Sequence, residues 1–217
     1  MKFICPTERF GAIVWSFVMH ASIRLYLTRH GRTAWNHVGR FQGHTDIPLD
    51  EVGRAQSVEL ARKLRGTVDA VLASDLQRAS ETARIVAEVL AIPMLGLDAD
   101  LRERGYGIFE GLTREECIQR HPAVWAARGD NRNFEPPGSE PCAEVNARML
   151  RGLTRAVDAF GGRHERLLVV GHGSALRMFL ERITGASVSP LSNLQYREVV
   201  HDGLQFVCAL QDPSGHT

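Results

Sequence analysis

The run Ile23-Arg24-Leu25-Tyr26-Leu27-Thr28-Arg29-His30-Gly31 decides how this chain reads, together with its later counterpart Leu167-Leu168-Val169-Val170-Gly171-His172-Gly173. Each is a short apolar stretch of the kind that forms a strand covered on both faces, and each delivers a histidine at its end. Val68-Asp69-Ala70-Val71-Leu72-Ala73 has the same character. Two strands each presenting a histidine, one beside an arginine, point to a pocket that handles a phosphoryl group.

The segments between these strands carry helical spacing. Gly53, Ser57, Leu60, Ala61 and Leu64 fall on one face, with Glu51, Arg54, Glu59 and Arg62 on the other. Ser74-x-x-Gln77 predicts a reciprocal cap for a second helix, buried along Ala79, Thr82, Ala83, Val86 and Leu90 and ending before Pro93. Thr113-x-x-Glu116 repeats the capping pattern. Val145, Met149, Leu153, Ala156 and Phe160 predict a long helix ending at Gly161-Gly162, and Leu176, Phe179, Leu180 and Ile183 another. Met94-Leu95-Gly96-Leu97 leads into Leu101-Arg102-Glu103, and the last strand is expected over 204–210. Alternating strands and helices of this size predict an α/β fold, a three-layer α/β/α sandwich with a mainly parallel central sheet. Residues 129–141, with Pro136-Pro137-Gly138, read as a surface flap beside the site.

A length of 217 residues with 44% apolar and 24% charged residues fits one globular domain, expected over 23–212. Residues 1–22 are expected to form a poorly ordered extension; their apolar run at 11–19, after Lys2 and Arg9, faintly imitates a secretory signal. The net charge of +1 gives no electrostatic footprint for nucleic acid or an anionic membrane. No apolar run reaches the roughly 18 residues of a membrane span. Cys5, Cys117, Cys142 and Cys208 are too scattered for a disulfide framework or a structural zinc, which fits a cytoplasmic protein. The nine histidines show no metal-ligand spacing. Gly171-x-Gly173 begins like a dinucleotide fingerprint, but Leu176 stands where the third glycine belongs.

Ligands of open parallel sheets bind beyond the carboxyl ends of the strands, and the reactive residues fall there. Arg29 and His30 follow the first strand, Ser74 and Arg78 the second, and His172 the third. Arginine stays charged and matches two phosphate oxygens with a planar fork, so Arg29 and Arg78 can hold a phosphoryl group. Nearby cations favour a neutral histidine, which makes His30 the candidate nucleophile and His172 a donor to a phosphoryl oxygen. A carboxyl beside a phosphate dianion is biased towards its acid, so Glu103 suits protonation of the leaving alkoxide and later deprotonation of water. This chemistry requires no metal and no cofactor.

The blocks resemble a known family. Leu27-Thr28-Arg29-His30-Gly31-Arg32-Thr33-Ala34-Trp35-Asn36 and Phe41-Gln42-Gly43-His44-Thr45-Asp46-Ile47-Pro48-Leu49-Asp50 are similar to the opening of the histidine phosphatase superfamily, in its phosphoglycerate-mutase-like branch. Ser74-Asp75-Leu76-Gln77-Arg78-Ala79, Leu101-Arg102-Glu103 with Gly107-Ile108-Phe109-Glu110-Gly111-Leu112-Thr113, and Gly171-His172-Gly173 match its remaining blocks in order. The resemblance implies a phosphoglycerate-mutase-like fold, phosphorylation of His30, phosphate binding by Arg29, Arg78 and His172, and proton donation by Glu103. It further implies that Asn36 touches the phosphoryl group and that Gln42 and Gly43 line the substrate side.

Cofactor-dependent mutases of that family carry a sizeable segment between the proline-rich loop and the next helix, whereas here Pro136-Pro137-Gly138 leads almost at once into 140–144. A short lid admits water, so hydrolysis of a small phosphorylated metabolite is the expected activity. The alternative is a phosphoglycerate mutase, which Glu103-Arg104-Gly105-Tyr106-Gly107 resembles except that Gly105 replaces a histidine. A silent member that only binds phospho-ligands is a third reading. Phosphatases of the family carry Gly-Glu-Ser after the prolines; this chain has Gly138-Ser139-Glu140, which bears on what that loop can contact. The sequence leaves the ester and the oligomeric state open.

Overall fold

The computed structural model describes residues 22–208. The signal-like run at 11–19, nearly all of the expected extension, and positions 209–210 of the expected last strand lie outside the described residues. In chain order the elements are β1 (Ile23–Arg29), a single-turn α1 (Ala34–His37), α2 (Glu51–Lys63), β2 (Ala70–Ala73), α3 (Gln77–Leu90), β3 (Met94–Leu97) and α4 (Arg114–Arg120). They continue with α5 (Pro122–Arg128), α6 (Cys142–Phe160), β4 (Arg166–Gly171), α7 (Gly173–Thr184), β5 (Tyr196–His201) and β6 (Phe206–Cys208).

The strands form one six-stranded sheet in the order β3-β2-β4-β1-β5-β6. The first four are mutually parallel, β5 is antiparallel to β1, and β6 is antiparallel to β5. Side chains alternate across a strand, so Leu25, Leu27, Leu167 and Val169 pack on one face against Val145, Met149, Leu153, Leu176 and Phe179 of α6 and α7. Tyr26, Leu168 and Val170 pack on the other face, against Leu60, Ala61, Ala79, Ala83 and Val86 of α2 and α3. This is the three-layer, mainly parallel α/β/α sandwich expected from the sequence.

The register between β1 and β4 sets Arg29 opposite Gly171, and the His30 amide donates to the Gly171 carbonyl at 3.0 Å. Two residues far apart in sequence, His30 and His172, therefore leave the sheet side by side. The loop after His30 is pinned by α2. The Asp50 carboxylate caps this helix by accepting from the Gly53 amide at 2.7 Å, and a Cβ at Gly53 would lie 2.1 Å from the Arg32 carbonyl oxygen. Only glycine allows that approach.

Two sequence expectations need correction. Ser74 does not cap α3: its hydroxyl reaches only the Leu76 amide at 3.4 Å, and Leu76 itself occupies the cap position. Asp46, from a distant loop, accepts instead from the Gln77 backbone at 2.7 Å and the Gln77 side chain at 3.0 Å. The last strand begins later than expected, because residue 204 belongs to a turn in which the Asp202 carboxylate accepts from the Leu204 and Gln205 amides, each at 2.9 Å. Asp202-Gly203 is a hairpin signal, with Gly203 at φ +98°, and it joins β6 to β5, a strand the sequence reading did not identify. The capping box at Thr113 and Glu116 is present as expected, at the start of α4. A small satellite core of Phe109, Leu112 and Cys117, backed by Phe41, Tyr106 and Trp125, ties α4 and α5 to the wall of the cleft.

Candidate active site

His30 sits just beyond β1, buried, with Nδ1 at 2.7 Å from the Gly31 carbonyl oxygen. A carbonyl only accepts, so Nδ1 carries the ring proton and Nε2 keeps its lone pair. The His172 ring lies 5.1 Å away between centroids and is fully buried, and neither of its nitrogens has a partner among the described residues. Burial pushes the His30 pKa well below the ordinary histidine value, and Arg29 and Arg78 push it further. Burial does the same at His172, helped by Arg78, His30 and Arg29. Both rings are neutral.

The two guanidinium groups are braced from behind. Arg29 donates to the Leu191 carbonyl at 3.2 Å. Arg78, on the first turn of α3, donates to the carbonyls of Thr45 at 2.8 Å and Gly43 at 2.7 Å. Each Nε is buried without a partner among the described residues. Burial lowers both arginine pKa values and Glu103 opposes it; from so high a starting value the groups stay charged. Buried, unpaired donors on two cations and a neutral imidazole fit an oxygen-rich anion, since leaving them unmatched is costly.

Glu103 approaches from the loop after β3 and docks on the N-terminus of α7. Its Oε1 accepts from the amides of Arg104 (2.9 Å) and Ala175 (3.0 Å), and its Oε2 from the Ser174 amide (3.1 Å). With one acceptor site of Oε2 unused, that oxygen is the one available for proton exchange. The loop is held by buried Arg148 of α6, which donates to the carbonyls of Asp100, Arg102 and Glu103 at 2.6–2.9 Å and grips the Glu140 carboxylate at 2.7 and 2.8 Å.

Arg29, His30, Asn36, Gln42, Gly43, Arg78 and Glu103 line one cleft of about 170 Å³, and His172 packs behind it against His30. The Asn36 oxygen accepts from the Thr33 amide at 3.1 Å, and the Gln42 oxygen from the Thr33 hydroxyl at 3.0 Å. The amide NH₂ ends are what remain for a ligand. The Gly138-Ser139-Glu140 stretch is spent on structure, with Glu140 on Arg148 and Ser139 bridged to Tyr106. The sequence reading missed Arg40, Phe41, Tyr106, Ser174 and Pro190 as cleft residues. Tyr106 and Ser174 are paired at 2.5 Å, and burial, then Glu103, pushes the Tyr106 pKa up. It also missed Asn193, whose amide donates to the His30 carbonyl at 2.8 Å. Tyr106 follows the quoted Glu103 block and could have been found; Asn193 lies in irregular chain and had no signal.

The model of the histidine phosphatase superfamily (branch 1) matches residues 25–204. Among curated proteins, the chain is 37% identical over 168 residues to a metal-independent phosphoserine phosphatase of Arabidopsis thaliana, covering 75% of this chain and 69% of the relative. It is 36% identical over 162 residues to phosphoglycerate mutase-like protein 4 of the same plant, covering 73% and 70%. The solved structure of Bacillus stearothermophilus YhfR is similar with a TM-score of 0.77 at 31% identity, covering 88% of this chain and 96% of that one.

Proposed function

Because the chain belongs to the histidine phosphatase superfamily, we propose that it is a metal-independent phosphomonoester hydrolase that works through a phosphohistidine on His30. One observation carries the reading: the proton-free Nε2 of a neutral, buried imidazole shares a cleft with two braced arginines and a carboxylate.

In the first step, His30 Nε2 attacks phosphorus and the bond to the ester oxygen breaks, while Glu103 gives a proton to the departing alkoxide. The proton stays on Nδ1 and keeps donating to the Gly31 carbonyl oxygen, whose partial negative charge offsets the positive charge that develops on the ring. Arg29, Arg78 and His172 donate to the phosphoryl oxygens as their charge spreads, and the Asn36 and Gln42 amides and the backbone at Gly43 close the ring of contacts. In the second step, water attacks phosphorus, its proton passes to Glu103, and the phosphorus–nitrogen bond breaks. Inorganic phosphate and the starting enzyme result.

The mutase alternative draws on the Glu103-Arg104-Gly105-Tyr106-Gly107 stretch and on the mutase-like relative. Against it, the flap runs from residue 129 to 141 and enters α6 at Cys142 with no further lid. Protein treated with EDTA should release phosphate from small esters and form an acid-labile phosphoenzyme that His30→Ala lacks. Robust phosphoglycerate interconversion primed with bisphosphoglycerate, with negligible phosphate release, would replace hydrolase by mutase. Absence of any phosphoenzyme would favour a silent binder. The thiols of Cys117 and Cys142, which form no disulfide among the described residues, support a cytoplasmic setting. Among the described residues no helix is long and apolar enough to cross a membrane. The reading takes residues 23–212 as one catalytic domain and a small phosphorylated metabolite as its substrate.

A further inference from the structure

The cleft does not end at the catalytic groups. Beyond Tyr106 and Ser174, which border both spaces, a second chamber of about 240 Å³ is lined by Arg104, Arg128, Arg132 and Arg177, with Phe41 and Phe134 among its apolar walls. Among the described residues no carboxylate lines it.

Many arginines elsewhere on this protein sit in ion pairs instead. Arg32, Arg54, Arg102, Arg148, Arg151 and Arg155 each meet a carboxylate at 2.6–2.8 Å. In the chamber only Arg177 does, bonding Glu181 at 2.6 Å while it also donates to the flap residue Asn133 at 2.8 Å. Buried Arg104 donates to the Glu140 carbonyl and the Ser139 hydroxyl, both neutral. Glu135 acts on Arg104 through space, but its carboxylate is occupied by the Cys142 amide at 2.7 Å. Arg128 lies 4.8 Å over the Trp125 ring and donates to the Gly129 carbonyl. Arg132 is exposed and makes no ion pair or hydrogen bond among the described residues. Four cations thus converge against two carboxylates, Glu181 and Glu135, neither of which lines the chamber.

Position gives the excess charge a purpose. Glu103 Oε2 accepts from the Ser174 amide, and Ser174 stands on the border between the two spaces. An ester oxygen protonated by Glu103 therefore leaves beside that border, and the alcohol attached to it extends into the arginine-lined chamber. We propose that this chamber is the leaving-group subsite and that the substrate is a phosphate monoester whose alcohol half carries an anion of its own, a carboxylate or a second phosphate. This assignment rests on the hydrolase reading for its chemistry, but the subsite can be tested without turnover.

Hydrolysis of phenyl phosphate and 4-carboxyphenyl phosphate would be compared at low ionic strength, alongside calorimetric binding of benzylphosphonate, 4-carboxybenzylphosphonate and 1,4-xylylene bisphosphonate, none of which can be hydrolysed. A charge-assisted pair in a partly enclosed chamber should favour the extra anion by about tenfold or more, in kcat/KM and in Kd. Tighter binding of the bisphosphonate than of the carboxylate would assign a second phosphate, and the reverse order a carboxylate. In Arg128→Gln/Arg132→Gln both ratios should collapse towards unity. Selective phosphonate binding without hydrolysis of either ester would keep the subsite and end the hydrolase reading. Ratios near unity in the unaltered protein, or ratios that the double variant leaves intact, would overturn the subsite whatever the turnover.

Discussion

The neutral state of the two active-site histidines has a cost in acid that can be measured as stability. His30 and His172 are buried and held well below the ordinary histidine pKa, first by burial and then by Arg29 and Arg78. In the unfolded chain each returns to about 6.5 and takes up a proton as the pH falls, while the folded protein does not. Stability is thus fully present above about pH 6.5 and is lost below it at about 1.4 kcal/mol per pH unit per histidine, until the folded pKa is reached. Between pH 7 and pH 5.5 the pair should remove about 2.5 kcal/mol, or roughly 1 M from a urea midpoint. Carboxylates act lower. Arg102 depresses Asp75 and Arg151 depresses Asp100 below the ordinary aspartate value, so their stabilisation survives throughout this window and disappears only as the pH falls through their folded pKa values. Urea unfolding followed by circular dichroism at pH 7, 6 and 5.5, in phosphate-free buffer, reads the slope directly. His30→Gln/His172→Gln should flatten it. A flat profile in the unaltered protein, or an undiminished slope in the double variant, would refute neutral burial of the pair.

Arg148→Met would leave the carbonyls of Asp100 and Arg102 without their side-chain donor and the Glu140 carboxylate without its cation; breaking such a largely buried pair costs about 3–5 kcal/mol. Calorimetry should show a Tm lower by roughly 10 °C, and a loss confined to the surface-pair range would mean that the clamp is unimportant. Gly53→Ala places a Cβ 2.1 Å from the Arg32 carbonyl oxygen, an overpacking expected to cost about 1–3 kcal/mol by chemical denaturation. An unchanged denaturation midpoint would contradict the close approach. Glu103→Gln keeps an oxygen for the α7 amides but removes the proton donor, so kcat for alkyl esters should fall by about 10²–10⁴-fold. Aryl esters with acidic leaving groups should suffer less in phosphoenzyme formation by rapid quench; equal losses for both would reassign the residue.

The central strands β1, β2 and β4 and the helices α2, α3, α6 and α7 over them were legible because each is written in local periodicity. β1 and β4 are apolar runs, and α2 shows its buried stripe at Gly53, Ser57, Leu60 and Ala61 as spaced in the sequence. The α3 cap was not legible, because its acceptor is Asp46 and a capping motif describes only neighbours along the chain. β5 has alternating exposure rather than an apolar run, and its Asp202-Gly203 turn is the signal that would have revealed it. In the site, residues that follow strands could be placed by the rule for parallel sheets. Arg148 and Asn193 could not: one reads as an ordinary residue of a long helix, the other as loop, and each acts through backbone carbonyls that only the folded chain brings near.

The division of labour across the fold explains why the chemistry is easier to read than its substrate. His30, Arg29 and His172 are fixed by the register of two central strands, and Glu103 is fixed by the start of the helix that follows His172. These positions depend on sheet pairing and helix geometry, which tolerate little variation. The second chamber is walled by α5, the 129–141 loop and one turn of α7, held by a few bonds such as Arg177 to Asn133. Loops of this kind can change length and composition without disturbing the sheet. Substitutions at Arg128, Arg132 or Phe134 should therefore alter which ester is chosen while phosphoryl transfer to His30 continues. On the proposed reading, substitutions at the strand ends should abolish transfer for every ester alike, because those residues would hold the phosphoryl group itself.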